Sequence, residues 1–275
     1  MTNPARRSSP VKVAVVRRTE RLTPHMIRVV LSCPEFVDNG CTDHYVKLLF
    51  PKVGVSYPRP LDLGVVRAEL PAEQWPTSRT YTVRSWDPAT AELAIDFVDH
   101  GGEGVAGPWA AAAQPGDELW FSGPGGGYAP DEEADWHLLA GDESALPAIG
   151  AAVERLQPGA RARVIVEVED ETEEQKFGGA GDLEVTWLHR TASGVRGDAL
   201  VAAVEGLTFA PGDVHVFVHG EAGFVQRLRR HLLTERGLDR KRVSISGYWR
   251  VGKNEDGWQA EKADTARRER EAATS

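Results

Sequence analysis

The hydrophobic rhythm of this chain changes once, and that change limits its possible folds more than any other feature. Up to about residue 123 the apolar residues come in short β-rich runs at 11–18, 26–31, 45–50, 80–83, 93–97 and 118–121, punctuated by Pro and Gly. Six runs at this spacing predict an antiparallel barrel or sandwich. After the acidic stretch 131–135 the pattern turns to strands alternating with helices. Strand candidates lie at 136–140, 163–168, 184–188, 214–218 and 243–246, with helical segments at 146–156, 197–204 and 222–233. Such alternation needs βαβ crossovers, so it predicts an open, mainly parallel α/β sheet. With the boundary placed near 125–133, the expected organisation is a flexible start (1–10), a first domain (11–128), a second domain (129–258) and a charged tail (259–275). Residues 53–78, rich in Pro and without periodicity, read as an extended surface excursion. Residues 110–113, after Gly107-Pro108-Trp109, read as one short helix, since proline is tolerated in a first turn.

Charge and cysteine content narrow the function. The 275 residues, 41% of them hydrophobic, suffice for two cores, and 41 acidic against 32 basic side chains give a formal charge of -9. General attraction to nucleic acid or to an anionic membrane is therefore disfavoured, and an anionic ligand must find a local basic patch. Cys33 and Cys41 are the only cysteines. They exclude a disulfide framework, a CxxC pair and a cysteine-held cluster, so any electron chemistry needs a bound cofactor. No apolar run approaches the roughly 18 residues of a membrane span, and a soluble cytoplasmic protein is expected. The acidic run Glu167, Glu169, Asp170, Glu171, Glu173, Glu174 reads in its latter part as a solvated loop rather than a metal site.

Several local motifs carry chemistry. In Arg79-Thr80-Tyr81-Thr82, on an extended strand, Arg79 and Tyr81 share one face. A guanidinium fork suits phosphate oxygens and a flat ring suits an aromatic cofactor, although an ordinary barrel strand has the same pattern. From Asp96 and Val98 the chain passes His100-Gly101-Gly102-Glu103-Gly104 into Val105-Ala106-Gly107-Pro108-Trp109-Ala110, a glycine turn feeding a helix start, where amides can meet a pyrophosphate. Gly141-Asp142-Glu143-Ser144-Ala145-Leu146-Pro147-Ala148-Ile149 ends one strand and opens a helix, placing polar groups at the carboxyl edge of the sheet. His219-Gly220-Glu221 repeats that arrangement before a segment bearing Arg227, Arg229 and Arg230, read mainly as a solvated helix face. Gly247-Tyr248-Trp249-Arg250-Val251-Gly252-Lys253 follows the last strand with aromatics and cations. No GxGxxG stands in a strand-to-helix context.

In this order the motifs resemble the siderophore-interacting protein family, flavin-dependent ferric-siderophore reductases of ferredoxin-reductase architecture, over nearly the whole chain. The resemblance implies a six-stranded antiparallel β-barrel with an FAD site and an NAD(P)H-binding α/β domain, with FAD held between the two. It implies that Arg79, Tyr81 and Thr82 contact the flavin and its phosphate. His100, Val105, Ala106, Trp109 and Ala110 would line the ribityl–pyrophosphate part, and Asp142, Ser144 and Ala145 would face the flavin or adenine. Thr80, Asp96, Val98, Gly107, Glu221 and Trp249 complete the expected cofactor-binding set. Lys47, Arg250 and Lys253 are the cations expected to attract the anionic chelate. Relatives often carry a basic residue in the Gly-Pro-x-Gly turn, where this chain has Gly125. The implied reaction takes hydride from NADH or NADPH, with ferredoxin as another possible donor, and delivers single electrons to Fe(III) in an intact siderophore. No catalytic acid or metal ligand from the protein is required. A monomer is expected. The competing readings are a generic NAD(P)H:flavin reductase or electron-transfer flavoprotein, and a flavin-free siderophore-binding module.

Overall fold

The computed structural model describes residues 11–102, 104–190, 194–253 and 257–258. The expected flexible start (1–10) and charged tail (259–275) lie outside the described residues. The chain divides into two compact units, Met1–Gly127 and Tyr128–Ser275. No helix among the described residues is long and apolar enough to cross a membrane.

The first unit is a closed barrel of β1 (Lys12–Thr23), β2 (Met26–Ser32), β3 (Tyr45–Phe50), β4 (Thr77–Asp87), β5 (Glu92–Val98) and β6 (Glu118–Gly125), in the order β1-β2-β5-β4-β3-β6. Every pairing is antiparallel, and β1 closes on β6 from Lys12↔Phe121 to Val15↔Glu118. Alternation explains the strands: on β3, Val46, Leu48 and Phe50 enter the core while Tyr45, Lys47 and Leu49 face outward. Val29, Leu31, Ile95, Phe97 and Phe121 fill the interior. Helix α2 (Ala106–Ala112) packs on it through the small residues Ala106 and Ala110, with Ala113 following.

Residues 53–78 are not wholly extended. They contain α1 (Leu63–Glu69), capped by Asp62, whose carboxylate accepts from the Gly64 and Val65 amides. Its one buried residue, Val66, joins Leu61 and Trp120 in covering the outward Leu49. This local cluster is what makes seven residues helical there.

The second unit is a five-stranded sheet of β7 (Trp136–Asp142), β8 (Arg161–Val168), β9 (Asp182–His189), β10 (Val214–Glu221) and β11 (Val243–Trp249), in the order β11-β10-β7-β8-β9. All four pairings are parallel. β7 is buried along its whole length, as a central parallel strand should be. Helix α3 (Leu146–Glu154) follows β7. The later helices α4 (Asp198–Glu205) and α5 (Ala222–Arg230) bury Leu200, Val201, Val204, Phe224 and Leu228 against Leu138, Ala140, Val216 and Val218. After β7 the chain adds β8 and β9 on one side and then β10 and β11 on the other. The neighbours β7 and β10 therefore mark the topological switch point, where open α/β sheets bind ligands at their carboxyl ends.

Candidate functional site

On the barrel, the β3–β4 register sets Arg79 opposite Leu48 and Tyr81 opposite Val46, both core residues. Directly opposed residues share a face, so Arg79 and Tyr81 turn inward, while Thr80 and Thr82 lie opposite Lys47 and Tyr45. The Tyr81 ring is half-buried, 4.6 Å from Phe97, which lies 5.6 Å from Trp109; Trp109 is 5.9 Å from Phe50. The Arg79 guanidinium donates to the Ser78 carbonyl at 2.7 Å.

The seam beside these residues is open. Pairing between β4 and β5 runs from Asp87↔Glu92 only to Val83↔Ile95. Beyond that point Thr77–Thr82 pair with β3, and Asp96–Val98 pair with β2. α2 begins at this seam, and its N-cap, Val105, makes no side-chain capping bond. Gly101, Gly102 and Gly104 before it have φ of +73°, +92° and +77°, and an added Cβ on any of them meets nothing within 4 Å. An aromatic shelf, a guanidinium and an uncapped helix start beside a roomy glycine turn fit a flavin and its diphosphate.

Not every expected cofactor contact on the barrel has an available side chain. Asp96 is buried, with both carboxylate oxygens taken by Arg28 at 2.7 and 2.8 Å. Ala106, Gly107 and Ala110 are buried in the contact of α2 with the barrel, so of these three only backbone can face a ligand. His100 is exposed, and Val98, Val105 and Trp109 are partly exposed.

On the second unit, the carboxyl ends of β7 and β10 carry Asp142 and Glu221. The expectation that Asp142 faces a cofactor conflicts with its surroundings, since it has no exposed surface and four internal donors. These are the Ser144 amide and hydroxyl at 3.0 and 2.5 Å, the Glu221 amide at 2.9 Å and Trp249 Nε1 at 2.9 Å. Burial, and then the neighbouring Glu143, push its carboxyl up to about 6. Ala145 is likewise fully buried. The Glu221 carboxylate caps α5 through the Gly223 and Phe224 amides.

Two arginines at this edge, Arg190 and Arg196, escape a reading of sequence alone. Glu143 binds Arg190 at 2.7 and 2.9 Å and Arg196 at 2.9 Å; Arg190 also meets Glu169 at 3.2 Å. Burial works against ionised Glu143, but the two guanidiniums prevail and its carboxyl is held below the ordinary range. The Arg196 guanidinium sits 5.1 Å over the Trp249 ring. The arginines of α5 are committed elsewhere: Arg227 to Asp198, Arg229 to the Ile245 carbonyl and Arg230 to Glu235. The acidic run is not all solvated, because Glu167 accepts from the Gly197 amide and Glu173 is buried.

Of the expected substrate cations, Lys47 stands exposed on the outer face of β3, and Arg250 and Lys253 follow β11. Arg250 lies 5.9 Å over the Trp258 ring. Beside Lys47, the Tyr45 ring covers Gly125, where an added Cβ would come within 2.5 Å of it. That packing accounts physically for glycine at position 125.

Residues 15–128 match the model described as the siderophore-interacting FAD-binding domain, and residues 134–252 match the one described as siderophore-interacting protein. The chain is similar to the ferric vibriobactin reductase of Vibrio cholerae, 32% identical over 95% of this chain and 97% of that protein. It is also similar to the NADPH-dependent ferric-chelate reductase of Escherichia coli, 33% identical over 85% and 91%. A solved siderophore utilization protein from T. fusca superposes with a TM-score of 0.76 at 37% identity, covering 90% of this chain and 96% of that one.

Proposed function

The chain belongs to the siderophore-interacting protein family, and from that premise we propose that its open β4–β5 seam holds FAD and that its surface cations dock an anionic ferric chelate. It is an FAD-dependent oxidoreductase that reduces ferric siderophores with electrons from nicotinamide dinucleotide. The observation that carries the residue assignment is the seam itself. There Arg79, Tyr81 on its Phe97–Trp109 shelf, and the uncapped start of α2 lie together.

A bound flavin supplies the conversion between a two-electron donor and a one-electron acceptor. The protein's part is binding and orientation. Arg79 offers a planar fork to phosphate oxygens, and Tyr81 offers a ring face backed by Phe97 so that it cannot recede. The amides around Val105 would receive the diphosphate. At the switch point, the carboxyl ends of β7 and β10 would border the nicotinamide dinucleotide. Lys47 on the barrel, and Arg250 and Lys253 after β11, present positive charge on a molecule of net charge -9. Fe(II) is held far more weakly than Fe(III) by hard oxygen ligands, so reduction releases the metal without a protein acid or ligand.

Replacing Lys47, Arg250 and Lys253 with alanine is expected to raise KM for an anionic ferric siderophore roughly tenfold while flavin content stays intact. An unmoved KM would refute the assignment of these cations.

A further inference from the structure

One buried carboxylate gathers the carboxyl ends of three strands. Asp142, the last residue of β7, accepts at Oδ2 from the Glu221 amide, which ends β10, and from Nε1 of Trp249, which ends β11, both at 2.9 Å. Its Oδ1 is occupied by Ser144. Glu221 extends the connection: Oε2 accepts from the Gly223 and Phe224 amides at 2.5 and 3.3 Å, and Oε1 from the Val251 amide at 3.4 Å. Gly220, at φ +139°, makes the close approach possible, because a Cβ there would stand 2.7 Å from Asp142 Cγ.

The segment after β11 is thus pinned by two acids, with Val251 62% exposed. Arg196 over the Trp249 ring fixes one ring face while Asp142 fixes its N–H edge. Arg250 and Lys253 lie on the same short segment.

We propose that Asp142 is a positioning residue for the substrate: by holding the Trp249 indole and, through Glu221, the Val251 amide, it sets where Arg250 and Lys253 meet the anionic ferric chelate. The proposal rests on the reading of those two cations as docking groups. An ionised Asp142 binds its donors more strongly than a neutral one. The charged groups around it are Glu143 and Glu221, with Arg190 and Arg196 holding Glu143, and its carboxyl lies at about 6. Chelate docking therefore weakens as pH falls through that value.

The test uses the flavin-loaded full chain and KM for an anionic ferric siderophore across pH. Trp249→Phe keeps a smaller aromatic ring and deletes the N–H donor. Asp142→Asn keeps the volume and an acceptor for the indole but cannot ionise. The expected results are a KM roughly tenfold higher for Trp249→Phe, a smaller rise of about threefold for Asp142→Asn, and a double variant whose rise falls short of the product of the two. An inflection near pH 6 is expected in the wild type and should vanish in Asp142→Asn. Additive effects, a wild-type KM in Trp249→Phe, or an inflection that survives in Asp142→Asn would overturn the proposal. Arg250→Ala separates the two ideas. If it raises KM while Trp249→Phe does not, only the positioning role falls; if it leaves KM unmoved, the docking reading falls and takes this proposal with it.

Discussion

Single residues in this protein illustrate what a motif can and cannot say. Arg79-Thr80-Tyr81-Thr82 was legible because strand alternation alone puts Arg79 and Tyr81 on one face, and the β3–β4 register keeps them there. Asp142 was misread for an equally physical reason. A carboxylate at a sheet edge looks the same in sequence whether it meets a ligand or is consumed by neighbours, and here four donors consume it. Gly125 had no visible cause until Tyr45 appeared above it. The obstructing atoms are the far end of a movable side chain, so Gly125→Arg should fold, with the Tyr45 ring swung aside. It would add a cation one pair along from Lys47 and is expected to lower KM for an anionic ferric chelate by about threefold, a change in charge complementarity that steady-state kinetics would register. A KM that stays level or rises would show that this face takes no part in docking.

At the scale of elements, the six barrel strands and the five parallel strands were legible because each reads as an alternating or a continuous apolar run. α1 was not. It buries a single residue, Val66, with Leu63 only partly covered, and a seven-residue helix is too short for its period to stand out. The grouping of Arg190 and Arg196 on Glu143 was equally hidden, since it depends on β9 and β7 reaching the same edge of the sheet. β7 also carries a titrating group within the core of its sheet. His137 is 2% exposed, and burial, then His215, push its pKa down to about 4 from 6.5. A base whose folded pKa is depressed stays neutral in the native protein while the unfolded chain takes up a proton. Its contribution is therefore complete above pH 6.5 and is lost as pH falls toward 4. The loss amounts to about 3 kcal/mol. Asp142 on the same strand has the opposite sign, because its carboxyl is raised, and it favours the folded state as pH falls through about 6. His137→Gln should therefore lose roughly 3 kcal/mol less stability than wild type between pH 6.5 and 4 in denaturant titrations. Parallel pH dependences of the two proteins would show that His137 is not held neutral by the fold.

For the whole molecule, the change of rhythm near residue 123 stated the essential plan: a barrel that presents an aromatic shelf and phosphate donors, then a parallel sheet with a switch point. Sequence could not supply the local electrostatics. With a net charge of -9, attraction of an anionic chelate must come from a few surface cations acting at short range. The central claim is that this fold carries nicotinamide electrons to iron held in a siderophore. Its most direct test is anaerobic. The purified yellow protein is reduced with NADPH or NADH and then mixed with a ferric siderophore and a ferrous-iron trap. The account predicts that the colour bleaches with the nicotinamide, returns on adding the siderophore, and yields about two trapped Fe(II) per nicotinamide consumed. A protein that binds no flavin, or a reduced flavin that the ferric siderophore leaves bleached, would contradict it.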